Sequence, residues 1–252
     1  MEPNGSNPRK GIYILPNLFT TGALFAGFYA IVQAMNGNFE HSPIAIFIAM
    51  VFDGLDGRVA RWTHTESDFG VQYDSLSDMV SFGLAPALVM YEWALTGLGK
   101  IGWLVAFLYA AAAALRLARF NVHTDEPGSV HFTGLPSPSA AAVVAGFVWA
   151  MLAFGIPGRE ISVLALLMTL FAAGMMVSNI AYWNPKAINL KGRVSFLTVL
   201  AVVLCLVVIS YDPPRVLFLG FALYALSGPL AATLRAYRRH HARAAVPESK
   251  AR

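Results

Sequence analysis

One stretch decides the fold: DGLDGRVARWTHTESDFGVQYDSLSD, residues 53–78. It joins two long apolar runs, and each run carries a pair of aspartates, Asp53 with Asp56 in the first and Asp74 with Asp78 in the second. An ionisable side chain at the centre of a membrane-spanning helix costs roughly 2.5–3.5 kcal/mol, so such residues are rare there and usually functional. The four aspartates therefore bear on both the fold and the chemistry.

Apolar runs of this kind recur along the whole chain. Of the 252 residues, 57% are hydrophobic and only 13% are charged, and that charged fraction is about half of what a soluble domain carries. A helix of about 20 apolar residues spans the ~30 Å hydrocarbon layer of a bilayer. Runs close to this length cover residues 15–35, 43–61, 71–93, 101–120, 138–154, 161–180, 194–209 and 215–234.

These runs predict an all-α fold, a polytopic membrane helical bundle of about eight helices. They are apolar on all sides, whereas a β-barrel would need alternating segments. The connections are short, which predicts a single transmembrane catalytic domain over residues 1–234, followed by a basic cytoplasmic tail at 235–252. Pro86 lies inside the third run and should kink that helix unless neighbouring groups satisfy the carbonyl that loses its amide partner.

The basic residues predict the orientation of the bundle. If the N-terminus is inside, all but three of the 18 Lys and Arg residues lie at cytoplasmic helix ends and loops; the exceptions are Lys100, Arg159 and Arg215. By the positive-inside rule, this is an integral, multi-pass protein of the cell (inner) membrane with both termini and the aspartates on the cytoplasmic side. The pI of about 9.3 fits membrane lipids as partners rather than nucleic acid, because the charges lie at helix ends.

The acidic residues form stripes when the runs are read as helices. Asp53, Asp56, Gly57, Ala60 and Arg61 recur at helical spacing and share one face. The small residues leave the backbone bare beside the acids, so a flat ring or a phosphate can approach closely. The arginine offers a bidentate fork for phosphate.

The second run carries a matching stripe. Gly70, Asp74 and Asp78 follow one another at steps of four, so they also share a face. The two runs are consecutive and antiparallel, and both stripes lie near their cytoplasmic ends. We therefore expect the two acidic faces to converge.

Four carboxylates in one place repel one another in a medium of low dielectric constant. Arg58 and Arg61 could neutralise them in a buried ion-pair network. Two divalent cations would do so better, because carboxylate oxygens are hard ligands that suit Mg²⁺, Mn²⁺ or Ca²⁺. A two-metal site is also what in-line displacement at phosphorus uses. The residues alone favour a metal and phosphate site and leave both alternatives open.

The spacing resembles a family signature. The pattern DxxDGxxAR, then eight residues, then GxxxDxxxD is similar to the signature of the CDP-alcohol phosphotransferases and is unbroken over residues 53–78. The resemblance implies a six-helix catalytic core that opens to the cytoplasm and to lipid, here with two further transmembrane helices. It also implies CDP-diacylglycerol as donor and CMP as leaving group.

The same resemblance implies roles by position. Asp53, Asp56 and Asp74 would be metal ligands, and Asp78 would be both a ligand of the second metal and the catalytic general base. The cofactors implied are two divalent cations, Mg²⁺ or Mn²⁺, with Ca²⁺ as a further option. The residues assigned to the cytidine nucleotide on these two faces are Gly57, Ala60, Arg61 and Gly70.

Further segments bear on the acceptor alcohol. LPN at residues 15–17, LRLARFN at 115–121 and FTGLPSP at 132–138 are similar to segments typical of the membrane-spanning phosphatidylserine synthases within that family. Serine carries a carboxylate, which Arg116 and Arg119, one turn apart, can receive, and Arg119 is the expected direct contact. Asn121 is a further acceptor candidate or a helix C-cap. The alternative is that the two arginines only snorkel or follow the positive-inside rule.

The interpretation is an enzyme that transfers a phosphatidyl group from CDP-diacylglycerol to the hydroxyl of L-serine and releases CMP. One alternative is another family member that uses glycerol 3-phosphate or an inositol phosphate. A second is a cation transporter, because intramembrane acids also mark ion pathways; the acids crowd at one end, and no paired broken helices recur in two halves, which counts against it. A homodimer is also predicted, with the alanine run at residues 110–114 as a close helix-packing surface.

Overall fold

Eight helices account for most of the residues that the computed structural model describes, which are 14–63, 65, 67–122, 131–183 and 196–244. Each predicted apolar run corresponds to one helix, so the all-α polytopic bundle is confirmed. Two short strands, β1 (His131–Thr133) and β2 (Ala181–Trp183), form an antiparallel ribbon. The helices are α1 (Ile14–Met35), α2 (His41–Thr63), α3 (Asp68–Leu98), α4 (Lys100–Val122), α5 (Ser137–Ala153), α6 (Ser162–Val177), α7 (Phe196–Tyr211) and α8 (Pro213–Ala244).

Among the described residues, five helices are long and apolar enough to cross a membrane: α1, α3, α4, α6 with the 3₁₀ turn before it, and α8. The helix α2 has the length, at 23 residues, but its second half holds the charged stripe. The helices α5 and α7 are apolar and shorter, with 17 and 16 residues. The helix α8 continues to Ala244, so the first part of the predicted basic tail extends a helix, and residues 245–252 lie outside the described residues.

The helix α5 lies at the centre of the bundle. Every residue from 140 to 148 is buried, and this segment packs against α2, α3, α6 and α8. Most of these side chains are alanine or valine, and such small side chains allow the helix backbones to approach closely. In a membrane this close packing stabilises the contact between helices, because lipid provides no hydrophobic driving force for their association. At Gly146 an added Cβ would lie only 3.2 Å from the Cα of Phe218 on α8. The rest of the bundle is arranged around this small-residue helix.

The alanine run at residues 110–114 packs within the chain. Ala110, Ala112 and Ala113 are buried, and an added Cβ on Gly83 of α3 would lie 3.3 Å from the Cβ of Ala113. The expected packing surface is therefore present between α4 and α3. The homodimer stays a prediction.

The helix α3 is not a regular α-helix. A π-helical segment, Met79–Leu84, begins directly after Asp78 and ends two residues before Pro86. At the end of this segment the Ala85 amide bonds the Val80 carbonyl, five residues earlier, and the Phe82 carbonyl accepts a hydrogen bond from the Tyr109 hydroxyl of α4 at 3.2 Å. A neighbouring group thus satisfies a carbonyl in the irregular turn before Pro86.

The β-ribbon covers the end of the bundle that carries the aspartates, because its strands follow α4 and α6 there. Just after β1, Gly134 has φ of 78° and donates its amide to the Ile180 carbonyl at 2.8 Å. A Cβ at this position would lie 2.5 Å from the Met176 carbonyl oxygen, so both the conformation and the space require glycine. This turn leads the chain directly into α5.

Candidate active site

The aspartates of α2 and α3 meet at one end of the bundle. Oxygen atoms of Asp53, Asp56 and Asp74 lie within 4.8 Å of one another. Asp78 interacts directly with Asp53 and electrostatically with Asp74 and Asp56. All four predicted acids are therefore brought together by the fold.

The start of α3 sets the direction of its acidic stripe. Ser67 is the N-cap, in extended conformation, and its hydroxyl accepts the Gly70 amide at 3.1 Å. This contact satisfies one of the free amides of the first turn and fixes where the helix begins. Asp74 and Asp78 then follow one and two turns later, on the side that faces α2.

The acidic set fits divalent cations. Three carboxylates with oxygens this close repel one another strongly unless a positive charge lies among them, and hard oxygen donors are what Mg²⁺, Mn²⁺ and Ca²⁺ prefer. Arg58 is exposed and does not line the cavity that holds the acids. The ion-pair alternative would therefore depend on Arg61 and on the buried Arg116, which both line it.

A hydroxyl on α1 orients one of these acids. Thr20 is 3% exposed and donates to Oδ2 of Asp56 at 2.9 Å, while also lying 3.2 Å from the Pro16 carbonyl. The Thr20 carbonyl in turn accepts the Ser77 hydroxyl of α3 at 3.1 Å. Sequence reasoning missed this residue, because a single threonine in an apolar run has no spacing signal that relates it to acids on another helix.

A cavity of about 680 Å³ opens beside the acids. Its polar end holds the four aspartates with Gly57, Arg61 and Arg116. The rest of its lining is mainly apolar; part of it comes from Leu117, Phe120, Phe132, Pro136 and Pro138, and a further wall comes from α7 and α8. The residues of that wall are Cys205, Ile209, Val216, Leu217, Gly220, Phe221 and Tyr224.

Four carboxylates converge beside a cavity that has polar and apolar lining residues. Residues 13–178 match the sequence model of the CDP-alcohol phosphatidyltransferases. The chain belongs to the CDP-alcohol phosphatidyltransferase family. This membership confirms the resemblance carried by residues 53–78 and decides against a cation transporter.

Several family members are similar to this chain over most of its length. The CDP-diacylglycerol–serine O-phosphatidyltransferase of Helicobacter pylori is 38% identical over 186 residues, which cover 73% of this chain and 78% of that protein. The enzyme of the same name from Methanocaldococcus jannaschii is 37% identical over 183 residues, with 73% and 80% covered. An archaetidylserine synthase of Methanothermobacter thermautotrophicus is 40% identical over 135 residues, with 53% and 57% covered.

The match to the CDP-alcohol phosphatidyltransferase family ends at residue 178, directly after α6. The family region therefore comprises α1 to α6, and α7 and α8 are the two further helices. The helix α7 has no buried residue and packs chiefly against α8 among the described parts of the chain. The helices α7 and α8 thus add an apolar wall to a cavity whose other lining residues belong to the matched region.

The two arginines of α4 have different surroundings. Arg116 is 8% exposed, donates to the Thr133 carbonyl at 3.0 Å and lines the cavity. Arg119 does not line the cavity. Its guanidinium donates hydrogen bonds to the Thr133 carbonyl and to the last carbonyls of α6, those of Met176 and Val177, at 3.3–3.5 Å. A cation at a helix C-terminus is a stabilising arrangement, so the geometry favours Arg116 over Arg119 as a direct contact for an acceptor.

Three further predicted residues lie beside the cavity without lining it. Asn121 exchanges hydrogen bonds with Ser75 of α3 at 3.0 and 3.2 Å, which ties the end of α4 to the residue after Asp74. Gly70 belongs to the N-cap contact of α3, and Ala60 is partly buried on α2. Nucleotide contacts at Ala60 and Gly70 stay predictions.

Proposed function

We propose that this family member transfers the phosphatidyl group of CDP-diacylglycerol to the hydroxyl of L-serine and releases CMP. The observation that carries the proposal is one cavity in which the four signature aspartates face a buried arginine at the polar end and an apolar wall at the other. A charged diphosphate, an anionic amino acid and a lipid tail each find a matching surface there. The relatives named for serine transfer support the same acceptor.

The aspartates have assigned roles in this proposal. Asp53, Asp56, Asp74 and Asp78 would hold two divalent cations, Mg²⁺ or Mn²⁺ with Ca²⁺ as a further option. When bound, such ions neutralise the diphosphate and stabilise charge on the leaving oxygen. Asp78 also takes the proton from the serine hydroxyl as that oxygen attacks phosphorus, and the Thr20 hydroxyl holds the carboxylate of Asp56 in place.

The nucleotide and the serine occupy opposite sides of the acids. Gly57 leaves bare backbone at the cavity, and the side chain of Arg61 lies over it, 3.7 Å from where a Cβ would be, so this pair contacts the cytidine diphosphate. Arg116 receives the serine carboxylate. Ser137 and Ser139, which begin α5, also line the cavity, so the positive end of the helix dipole adds to the attraction.

The lipid part of the donor lies along the apolar wall. The wall residues of α7 and α8 face the cavity, while the remaining surface of α7 is exposed and apolar. An acyl chain can therefore extend from the phosphate into the bilayer between these helices. In the membrane we place the active site and both termini at the cytoplasmic face, by the distribution of basic residues, and the functional unit as a homodimer.

Replacing Arg116 by alanine is expected to raise the KM for serine by about 10- to 100-fold, because a charge-assisted hydrogen bond to a carboxylate contributes roughly 1.5–3 kcal/mol. The matched variant is Arg119→Ala, which should lower thermal stability and leave the serine KM within about threefold of wild type. The measurement is CMP release at varied serine with saturating donor.

Arg116→Lys serves as the second variant, since it keeps the charge if the alanine variant is unstable; it should give an intermediate KM. The assignment of Arg116 would be wrong if Arg119→Ala raised the serine KM and Arg116→Ala did not. A raised KM for CDP-diacylglycerol in Arg116→Ala, with normal serine kinetics, would show that Arg116 binds the diphosphate and not the serine carboxylate.

A further inference from the structure

Two of the described membrane helices contain an interior proline, Pro86 in α3 and Pro229 in α8. Proline has no amide hydrogen, so the carbonyl four residues earlier loses its helical partner. In a membrane no water replaces that partner, and the group must be satisfied by the protein itself. In α8 this carbonyl is that of Ala225. In α3 the turn before Pro86 is π-helical, with the Ala85 amide on the Val80 carbonyl, and the Phe82 carbonyl lies in this irregular turn.

Each carbonyl accepts a hydrogen bond from a tyrosine on another element. The Tyr109 hydroxyl donates to the Phe82 carbonyl at 3.2 Å, and the Tyr182 hydroxyl donates to the Ala225 carbonyl at 2.9 Å. The two tyrosines are 0% and 1% exposed, so neither hydroxyl reaches solvent. In both helices, therefore, a buried tyrosine hydroxyl from another element bonds a carbonyl in the turn before the interior proline.

The first tyrosine supports the acidic side. Its acceptor, Phe82, lies inside the π-helical segment that begins after Asp78. A π segment adds a residue to a turn and rotates the side chains before it relative to those after it. The bond from Tyr109 therefore holds a carbonyl of the irregular segment that directly follows Asp78.

The second tyrosine supports the opposite wall. An added Cβ on Gly228 would lie 2.4 Å from Cζ of Tyr182, so the ring reaches the proline turn of α8 only because a glycine is there. Burial, with a smaller contribution from Tyr224, raises the pKa of Tyr182 to about 12, so its hydroxyl stays a donor at physiological pH. Its acceptor Ala225 follows the cavity residue Tyr224, which itself donates to the Trp183 carbonyl at 3.0 Å.

We propose that Tyr109 and Tyr182 are positioning residues with separate tasks. Tyr109 holds the π-helical segment that follows Asp78 and so sets the metal-binding carboxylates, and Tyr182 holds the turn before Pro229 of α8 and so sets the substrate wall at Tyr224. The division of tasks rests on the proposed function, because it assumes that the four aspartates bind metal.

The test compares two variants that each remove one buried hydroxyl, Tyr109→Phe and Tyr182→Phe. Mn²⁺ binding is measured on the purified protein without substrate, from the electron paramagnetic resonance signal of free Mn²⁺, and KM values come from CMP release. Loss of a group that orients metal ligands weakens metal binding by about 10- to 100-fold, and we expect this for Tyr109→Phe. Tyr182→Phe should bind Mn²⁺ within about twofold of wild type and show raised substrate KM values.

Double variants show whether each tyrosine acts through its proline. Pro86→Ala restores an amide to the irregular turn that holds the Phe82 carbonyl, so Pro86→Ala/Tyr109→Phe should recover much of the lost Mn²⁺ affinity; a role of the ring in packing alone would give no recovery. This variant also carries the test if Tyr109→Phe does not fold. Pro229→Ala/Tyr182→Phe should likewise recover the substrate KM.

Equal Mn²⁺ affinity in the two single variants would overturn the inference and leave the proposed function intact. So would a failure of Pro86→Ala to restore Mn²⁺ binding. Transfer by the wild-type enzyme to an acceptor other than serine would instead overturn the proposed function, while the comparison of Mn²⁺ affinities would still decide the inference.

Discussion

Replacing Asp78 by asparagine is expected to lower kcat by about 10²- to 10⁴-fold, the usual loss when a general base is removed. The change keeps the size of the side chain and removes the proton acceptor. Three carboxylates, Asp53, Asp56 and Asp74, remain to hold metal, so binding of CDP-diacylglycerol should persist. The measurements are single-turnover CMP release and equilibrium binding of the donor.

Asp68→Asn is the matched control. Asp68 lies on the same helix, in its exposed first turn, and does not line the cavity, so the same loss of charge should leave kcat near wild type. Near-normal turnover in Asp78→Asn would remove Asp78 from the role of base. If Asp78→Asn lost donor binding as well as turnover, the main task of Asp78 would be to hold the metal.

Removal of divalent cations is expected to abolish CMP release. The oxygens of Asp53, Asp56 and Asp74 lie within 4.8 Å of one another, and a diphosphate brought beside them adds further negative charge in a site of low dielectric constant. The enzyme is assayed after excess EDTA and dialysis, and then during titration with Mg²⁺ or Mn²⁺, which should restore activity.

The control for the chelator is EDTA already saturated with Mg²⁺, which affects the detergent and protein equally but removes no metal. Full activity in free EDTA would contradict the two-metal site. Inhibition by both forms of EDTA would point to an effect on the protein preparation rather than to metal loss.

Much of the fold and of the acidic site could be predicted from the sequence because both depend on local periodicity. Apolar runs near the thickness of a bilayer predicted the eight helices. The helical spacing of Asp53 and Asp56, and of Asp74 and Asp78, predicted two acidic faces. Consecutive helices with a short connection then have to place these faces together, which the structure confirms.

Other features depend on contacts between distant parts of the chain. The spacing of Arg116 and Arg119 shows that they are close on one helix. Their tasks differ because the Arg119 guanidinium bonds carbonyls of the ribbon and of the end of α6. Thr20 reaches Asp56 across 36 positions of sequence. The pairing of Tyr182 with the turn before Pro229 depends likewise on how β2 packs against α8.

The measurement that tests the central claim most directly is CMP release from CDP-diacylglycerol by the detergent-purified protein with Mn²⁺ or Mg²⁺ and one acceptor at a time. Separate reactions contain L-serine, glycerol 3-phosphate or inositol phosphate, and the lipid product of each is identified by mass spectrometry. We expect CMP and a phosphatidylserine product with serine, and only background release with the two phosphorylated alcohols. CMP release that required either phosphorylated alcohol and not serine would contradict the account.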